Sequence, residues 1–361
     1  MPVPTCLRNA NLASSELAHA TTLPSSFYID ASLHQWELRE LFSTSWQLLG
    51  LTSELQAKGD YVARNLPFAP VLAVRGVDEL RGFYNVCRHR AGPVALGHGN
   101  CQLLRCRYHG WVYTLDGRLQ HAPELGEIAD FDPDQVRLEA LQLCQADGLV
   151  FARARDVPGF RPEITRVMSE VASQVGEQAL QCRYHSSASY EIGCNWKVYV
   201  DNYLEGYHIP QVHPALAQML DYREYETRLY DGFSLQHSDI RDGSGAYQQG
   251  EAFYYYLFPN MMLNILPGRL QTNVVVPLAA DRCRVDFHYY YDNIDEADFI
   301  AADQALGDDV QKEDVAICEH VQRGLQSGVY DAGRLSEARE AGVHHWQELY
   351  RRVCRETLAG V

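Results

Sequence analysis

Residues 87–111 read CRHRAGPVALGHGNCQLLRCRYHGW and contain two short, similar metal-ligand patterns. The first is Cys87-x-His89 and the second is Cys106-x2-His109. Two cysteines and two histidines in this order can hold a [2Fe–2S] cluster, with two thiolates on one iron and two imidazoles on the other. A structural zinc site is the alternative, but zinc fingers pair cysteine with cysteine and histidine with histidine. The stretch therefore predicts a one-electron carrier.

The sequence around these ligands resembles the Rieske domain of ring-hydroxylating-type oxygenases. Gly92-Pro93 follows the first pair of ligands and Gly110-Trp111 follows the second. Small and rigid residues at these places let the backbone approach a cluster and donate N–H groups to its sulfurs. Respiratory-chain Rieske proteins fit less well, because they carry an additional disulfide-bonded cysteine in each cluster loop.

Bulk composition narrows the class of protein further. The chain has 361 residues, of which 46% are hydrophobic and 22% charged, so it is long enough for two domains. We find no apolar run long enough for a transmembrane helix and no secretory signal. The ten scattered cysteines predict a reducing, cytoplasmic compartment. The net charge of −16 argues against binding to nucleic acid or an anionic membrane.

The sequence predicts an α+β protein made of three segments. Residues 1–44 form an N-terminal helical segment that packs on the catalytic domain. Short strands broken by Gly, Pro and Asp-Gly turns fill residues 45–155, which predicts an antiparallel β Rieske domain with the cluster at its tip. Residues 156–361 form a catalytic domain with a mononuclear non-haem iron. The β-rich part of its sequence is flanked by helical patterns. This predicts an antiparallel sheet covered by helices, similar to the START or helix-grip arrangement.

A second metal site is predicted in the stretch NWKVYVDNYLEGYHIPQVHP, residues 195–214. His208 and His213 are five residues apart with Pro210 between them. A proline ends a helix, so we expect a helix over 195–208 and a fold-back of His213 toward His208. Two imidazoles and one carboxylate form the usual site for non-haem Fe(II) with open positions. This stretch is similar to the iron-binding segment of Rieske oxygenase α subunits, and the resemblance covers about residues 28–350.

The carboxylate ligand is expected from the stretch DDVQKEDVAICEHVQ, residues 308–322. The resemblance places it at Asp314. On spacing alone four other acidic residues compete with it, namely Asp308, Asp309, Glu313 and Glu319. We interpret Asp309 and Glu313 as a solvated helix face. Val310, Ala316, Ile317 and Val321 are expected to pack inward.

Glu205 lies three residues before His208, where most members of the family have Asp. The resemblance implies a homotrimer in which this carboxylate joins an iron-ligand histidine to a Rieske histidine of the neighbouring subunit, His109 or His89. It thereby serves as an inter-subunit electron bridge. Glu at this position resembles the carnitine, glycine betaine and choline-type monooxygenases.

The resemblance also implies O2 as co-substrate and electrons from a separate reductase that carries NAD(P)H and flavin. The chain itself has neither a GxGxxG fingerprint nor the plant-type ferredoxin cysteine spacing. The predicted reaction is hydroxylation of a small molecule, with a quaternary ammonium compound undergoing N-dealkylation or C–N cleavage.

Asn202, Tyr203 and Tyr207 are candidate near-site residues. An arene or aromatic acid dioxygenase and a non-catalytic Rieske electron carrier are the alternatives. The polar segment 239–252 is expected to be a mobile loop.

Overall fold

The computed structural model describes residues 2–241 and 246–360. The chain divides into two compact units, which we call the β unit and the α+β unit. The β unit comprises Phe42–Val157 and Ile164–Ser169, and the α+β unit comprises Met1–Leu41, Pro158–Glu163 and Glu170–Val361. The α+β unit is therefore built from both ends of the sequence.

The N-terminal part of the α+β unit is a series of short helices: α1 (Thr5–Asn9), α2 (Ser26–Ile29) and α3 (Ala31–Glu37), followed by a π-helical turn over Leu38–Phe42. Asp30 begins α3, because its carboxylate accepts hydrogen bonds from the N–H groups of Ser32 at 2.7 Å and Leu33 at 3.1 Å. At the other end of α3, the fully buried Glu37 carboxylate accepts from Lys197 Nζ at 2.7 Å and Tyr350 Oη at 2.5 Å. These bonds attach the N-terminal segment to the rest of its unit.

The β unit contains ten strands, all paired antiparallel. They are β1 (Gln47–Leu51), β2 (Asp60–Leu66), β3 (Ala69–Arg75), β4 (Leu80–Tyr84), β5 (His98–Asn100), β6 (Leu104–Arg105), β7 (Val112–Tyr113), β8 (Leu119–His121), β9 (Ala140–Ala146) and β10 (Leu149–Arg153). Seven of them form a sheet in the order β1-β10-β9-β4-β3-β2-β5, and β6-β7-β8 form a second sheet. The loops after β4 and β6 carry the two ligand patterns.

The α+β unit has a seven-stranded antiparallel sheet in the order β11-β17-β16-β15-β14-β13-β12. Its strands are β11 (Arg183–Ile192), β12 (Glu226–Tyr230), β13 (Phe233–Ile240), β14 (Gly250–Leu257), β15 (Met261–Leu266), β16 (Arg269–Ala279) and β17 (Arg282–Tyr291). The remaining α-helices among the described residues are α4 (Ile164–Val175), α5 (Trp196–Tyr203), α6 (Ile209–Val212), α7 (Pro214–Met219), α8 (Ala297–Gln326) and α9 (Ala341–Ala359). Helix α5 packs against β16, β17 and α8, and α9 packs against β12 and β13.

The predicted α+β class, with an antiparallel β domain followed by a helix-covered antiparallel sheet, is confirmed. The expected loop over 239–252 is wrong at both ends, because Asp239 and Ile240 end β13 and residues 250–252 begin β14. Residues 242–245 of that loop lie outside the described residues. Within the described ranges, we find no helix with the length and apolar character needed to cross a bilayer.

Candidate active site

Two loops of the β unit carry the cysteine–histidine patterns and share one backbone hydrogen-bond arrangement. In each loop the cysteine N–H donates to the carbonyl five residues later, at 2.8 Å for Cys87 and 2.9 Å for Cys106. The cysteine carbonyl accepts from the N–H four residues later, on Ala91 or Gly110, at 3.0 Å in both loops. Both of these residues have a positive φ, 59° and 76° respectively. The two loops therefore present their ligands as a matched pair.

The four predicted cluster ligands differ in exposure. Cys87 and Cys106 are 3% and 2% exposed, whereas His89 and His109 lie at the surface with ring centroids 4.6 Å apart. The Tyr113 hydroxyl lies 3.1 Å from Cys87 Sγ, where it can hydrogen-bond to a sulfur ligand. This arrangement fits a [2Fe–2S] cluster, in which the two buried cysteines would hold one iron and the two exposed histidines would hold the other.

The candidate iron ligands His208 and His213 lie on the turns around α6, which corrects the helix expected over 195–208. Helix α5 ends at Tyr203, and Pro210 lies in the first turn of α6 rather than at the end of a helix. The Glu205 carboxylate accepts hydrogen bonds from the backbone N–H groups of Tyr207 and His208. These bonds stabilise a turn in place of a further turn of α5, because they satisfy N–H groups that a continuous helix would otherwise use.

Three side chains converge at one point of the α+β unit. His213 Nε2 lies 3.0 Å and His208 Nε2 lies 3.8 Å from Asp314 Oδ1. One donor atom from each of these residues lies within 4.8 Å of the other two. This is the donor set of a 2-His-1-carboxylate iron site, which leaves positions open for other ligands.

A hydrogen bond to the second nitrogen of each imidazole supports the fit to a metal ion. His208 Nδ1 lies 2.6 Å from Glu205 Oε1, and His213 Nδ1 lies 2.7 Å from Glu313 Oε2. A carboxylate at Nδ1 favours the tautomer with the proton on that atom, and this leaves the Nε2 lone pair free for a metal. Burial lowers the pKa of His213, but the Asp314 and Glu313 carboxylates outweigh this effect and raise it overall. The same negative potential favours a divalent cation.

The four acidic residues that compete with Asp314 on spacing have different partners in the structure. The Glu313 interpretation as a merely solvated residue is wrong, because its carboxylate contacts buried His213 while remaining 40% exposed. Asp309 is on the solvated face as expected, 72% exposed and paired with Lys312. Asp308 accepts from the Tyr190 hydroxyl, and Glu319 accepts from the Gly193 N–H at 3.1 Å.

The expected inward face of α8 is also wrong in part. Val321 is 45% exposed and Ala316 is exposed, whereas the buried positions include Asp303, Gln311 and Gln322. The helix therefore buries Asp303, Gln311 and Gln322 together with the apolar Ile300, Cys318 and Leu325.

The near-site candidates divide into two groups. Asn202 Nδ2 donates to Asp314 Oδ1 at 2.6 Å, and Tyr203 Oη donates to Asn264 Oδ1 at 2.7 Å. Both residues line a cavity of about 130 Å³ that also contacts His208, His213 and Asp314. Tyr207 is 57% exposed and is not among the described residues that line this cavity.

Sequence reasoning missed a buried charged pair whose arginine, Arg269, lines the cavity. Arg269 Nη1 lies 2.7 Å from Asp303 Oδ1, with side chains 7% and 0% exposed. The remaining cavity wall combines rings with buried amides. The rings are Tyr199, Tyr203, Tyr225, Tyr247, Tyr254 and Phe287, and the amides include Gln236, Asn264, Gln271, Asn273 and Gln311. In sequence these residues are spread over seven helices and strands and two loops, so they come together only in the tertiary fold.

Comparison with known proteins agrees with this architecture. A model of the Rieske [2Fe-2S] domain matches residues 45–132, and a model of the ring hydroxylating alpha subunit (catalytic domain) matches residues 180–356. Chloroplastic choline monooxygenase of Arabidopsis thaliana is 33% identical over 349 residues, which cover 91% of this chain and 82% of that protein. The carnitine monooxygenase oxygenase subunit of Escherichia coli (strain K12) is 30% identical over 358 residues, covering 93% and 95%.

Comparison with solved structures also shows similarity to Rieske oxygenases. The quaternary ammonium Rieske monooxygenase CntA, in complex with an inhibitor, superposes with a TM-score of 0.84 at 25% identity over 95% of this chain and 99% of that one. The family carries a Rieske cluster and a mononuclear iron and uses O2. The chain therefore belongs to the Rieske non-haem iron oxygenases, as an oxygenase subunit with a Rieske domain and a ring-hydroxylating-type catalytic domain.

Proposed function

We propose that this chain is the oxygenase component of a monooxygenase that acts on a quaternary ammonium compound. The observation that carries the proposal is the aromatic wall of the cavity beside the candidate iron ligands, because aromatic faces recognise quaternary ammonium groups. The relatives with choline and carnitine in their names, and a solved CntA complex with L-carnitine, support this substrate class.

Four tyrosines of this wall, Tyr199, Tyr203, Tyr225 and Tyr247, donate hydrogen bonds through their hydroxyl groups. Tyr199 donates to Gln311 at 2.7 Å, and Tyr225 donates to Gln236 at 3.1 Å. Burial raises the pKa of Tyr254 to about 12, so this phenol stays neutral at physiological pH. Fixed, neutral ring faces suit a cation that forms no hydrogen bonds.

The polar part of the wall favours this class over an arene. Gln236, Gln271 and Asn273 are each at most 2% exposed and line the cavity. These amides bond to one another and to neighbouring groups, and they give the wall polar edges that suit a ligand with polar substituents better than a purely hydrocarbon one.

We propose that His208, His213 and Asp314 hold the mononuclear iron, with Glu205 and Glu313 orienting the two imidazoles. Iron bound there supplies the activation of O2 for hydroxylation of a C–H bond, which beside a nitrogen leads to C–N cleavage. The rings of the cavity exclude water and hold the ammonium group against the ligands. Cys87, Cys106, His89 and His109 would hold the Rieske cluster.

Glu205 is also the proposed link between subunits of a homotrimer. Its carboxylate already bonds His208 Nδ1 and is 13% exposed. A solved CntA structure is described in terms of inter-subunit electron transfer. We infer that Glu205 joins His208 to His109 or His89 of a neighbouring copy, and that a separate flavin reductase supplies the electrons.

Metal analysis and substrate turnover test the proposal together. The holoprotein should contain about three irons per chain, and His208→Ala should contain about two with an unchanged cluster spectrum. With a reductase present, trimethylammonium compounds should stimulate O2 uptake and release an amine product. Turnover of naphthalene or benzoate alone would instead support an arene dioxygenase, and two irons in the wild-type chain would support an electron carrier.

A further inference from the structure

Four metal-ligating side chains lie together on the sheet of the α+β unit, outside the cavity described above. They are His237 and Asp239 on β13, Glu226 on β12 and Glu251 on β14. Glu226 is directly opposite His237 in the strand pairing, and Glu251 is directly opposite Asp239. Residues two apart on one strand, and residues directly opposite on neighbouring strands, share a face of a sheet. The four side chains therefore share one face, and Gln236, which lines the cavity, lies on the other.

The donor atoms of three of these residues are close enough for a metal ion. One donor atom each from His237, Asp239 and Glu251 lies within 4.8 Å of the other two. His237 Nε2 lies 2.9 Å from Glu251 Oε1. Two ligands of one zinc ion, with bonds of about 2.0–2.1 Å and an angle of about 90–110° between them, lie roughly 2.9–3.4 Å apart. The imidazole and this carboxylate therefore already have the separation of two ligands of a shared ion, and the exposed Asp239 carboxylate completes the set.

His237 is held in the orientation of a metal ligand. Its side chain is 13% exposed, and its ring packs against Phe253 with the centroids 4.9 Å apart. Its Nδ1 lies 3.5 Å from Glu226 Oε1. Carboxylates therefore face both ring nitrogens, as they do at His213. A carboxylate beside one nitrogen of a histidine orients the ring and supports metal binding by the other nitrogen.

The carboxylates on this face exceed the cations that neutralise them. Glu226 pairs with Arg228, but among the described residues neither Asp239 nor Glu251 forms an ion pair with a lysine or an arginine. Like charges directly opposite each other on neighbouring strands destabilise a sheet, and Asp239 and Glu251 form such a pair. A protonated His237 neutralises only one of them. A divalent cation between the two strands removes the repulsion.

We propose that His237, Asp239 and Glu251 bind Zn²⁺ or a similar divalent transition-metal ion, with Glu226 hydrogen-bonded to Nδ1 of the histidine. Three nitrogen and oxygen ligands from the protein, with water in the remaining position, are one form of zinc coordination. An ion bound there joins β13 to β14 on the face opposite Gln236, so it supports the cavity wall from behind. The site shares no residue with the candidate iron site, and the inference is therefore independent of the proposed function.

Titration of the iron-loaded holoenzyme with Zn²⁺ tests the inference. Calorimetry measures the affinity, and iron analysis before and after the titration shows whether Zn²⁺ has displaced iron. We expect Zn²⁺ to bind without loss of iron, and His237→Ala to weaken this binding by more than about 10-fold. His185→Ala is the matched control and should bind Zn²⁺ like the wild type, because His185 is an exposed histidine whose Nδ1 faces the Ser186 hydroxyl. Equal binding by the wild type and His237→Ala, or no binding by the wild type, would overturn the inference.

Asp239→Asn distinguishes loss of the metal from loss of the fold. In the absence of Zn²⁺, removal of the charge opposite Glu251 should raise the midpoint of thermal unfolding by about 1–3 °C. The same variant should lose most of the thermal stabilisation that Zn²⁺ gives the wild type, because it binds the ion more weakly. Equal stabilisation of both proteins by Zn²⁺ would contradict Asp239 as a ligand.

Anomalous diffraction at the zinc absorption edge locates the ion directly. We expect a peak about 2.0–2.1 Å from His237 Nε2 in crystals of the iron-loaded protein grown with Zn²⁺. A peak found only beside His208 and His213 would show that zinc replaces iron there and would refute the separate site.

Discussion

Glu313 Oε2 lies 2.7 Å from Nδ1 of His213, on the opposite side of the imidazole from Asp314, which lies 3.0 Å from Nε2. Neighbouring residues of α8 therefore contact both nitrogens of one ring. One carboxylate is placed as a candidate ligand, and the other fixes the tautomer and orientation of the histidine.

Replacement of Glu313 should weaken metal binding without removing a ligand. We expect Glu313→Gln to lower iron affinity about 10- to 100-fold, because the neutral amide supports the His213 N–H less strongly. Competition with a chelator, followed by iron analysis, measures the change. Asp309→Asn on the same helix is the control, since that side chain is 72% exposed. Equal iron retention in both variants would show that the hydrogen bond is unimportant.

Replacement of Glu205 should separate metal binding from turnover. With iron supplied in excess, we expect Glu205→Gln to hold both metal centres and to block turnover, because the neutral amide is a poorer link between two imidazoles. Stopped-flow reoxidation of the reduced cluster in the presence of substrate and O2 measures the transfer step directly. Normal turnover in this variant would eliminate the bridge assignment.

The Tyr113 hydroxyl should tune the Rieske cluster. It accepts from the Arg88 N–H at 3.0 Å, so its own proton is available to Cys87 Sγ. We expect Tyr113→Phe to lower the reduction potential by about 20 to 60 mV, the equivalent of one hydrogen bond that stabilises the reduced cluster. Protein-film voltammetry measures the shift. Tyr61→Phe, whose hydroxyl faces the Leu96 carbonyl, serves as the control.

Loss of the Glu37 charge should destabilise the α+β unit. Glu37→Gln leaves the ammonium group of Lys197 buried without its counter-ion, which costs about 3–5 kcal/mol. Urea denaturation monitored by circular dichroism measures the loss. The double variant Glu37→Gln/Lys197→Met should recover part of it, and equal losses in the single and double variants would contradict the ion-pair explanation.

Asp201 predicts a pH-dependent stability effect. Burial raises its pKa to about 6, although Tyr28, Trp346 and Gln347 donate hydrogen bonds to it. Between about pH 4 and 6 the folded state binds more protons than the unfolded state, so this carboxyl destabilises the fold progressively as pH rises.

We therefore expect Asp201→Asn to be more stable than the wild type above pH 6, by on the order of 2–3 kcal/mol, and equally stable near pH 4. The asparagine can accept from Trp346 and Gln347 while the Tyr28 hydroxyl turns to accept. Unfolding free energies measured across this range check the trend. A difference that does not change with pH would contradict it.

The parts of the site that could be predicted are those encoded by short spacing. Cys87 with His89, and Cys106 with His109, lie within single loops, so their grouping needs no knowledge of the tertiary fold. The α+β class could also be predicted, because runs of strand pattern and runs of helix pattern occupy separate segments of the sequence.

The parts that could not be predicted depend on distant partners. The sequence pattern places Glu313 on a solvent-facing side of its helix. Its contact with His213, a hundred residues earlier in the chain, is seen only in the folded structure. Arg269 and Asp303 appear as ordinary surface charges in sequence, and only the packing of α8 against the sheet buries them together. The break after Tyr203 was missed because the Glu205 side chain competes for backbone N–H groups that a helix pattern assigns to the helix itself.

The bonds of Glu37 to Lys197 and Tyr350 have a consequence for folding during synthesis. Residues 42–157, which form most of the β unit, emerge from the ribosome as one continuous segment and can fold while translation continues. Glu37 emerges earlier, yet Tyr350 follows it by 313 residues. At a translation rate of about 5–20 residues per second, Tyr350 is synthesised roughly 15 to 60 seconds after Glu37. The α+β unit is thus completed only after its C-terminal helix is released, and a premature stop codon within α9 would leave a folded cluster domain beside an unfinished catalytic one.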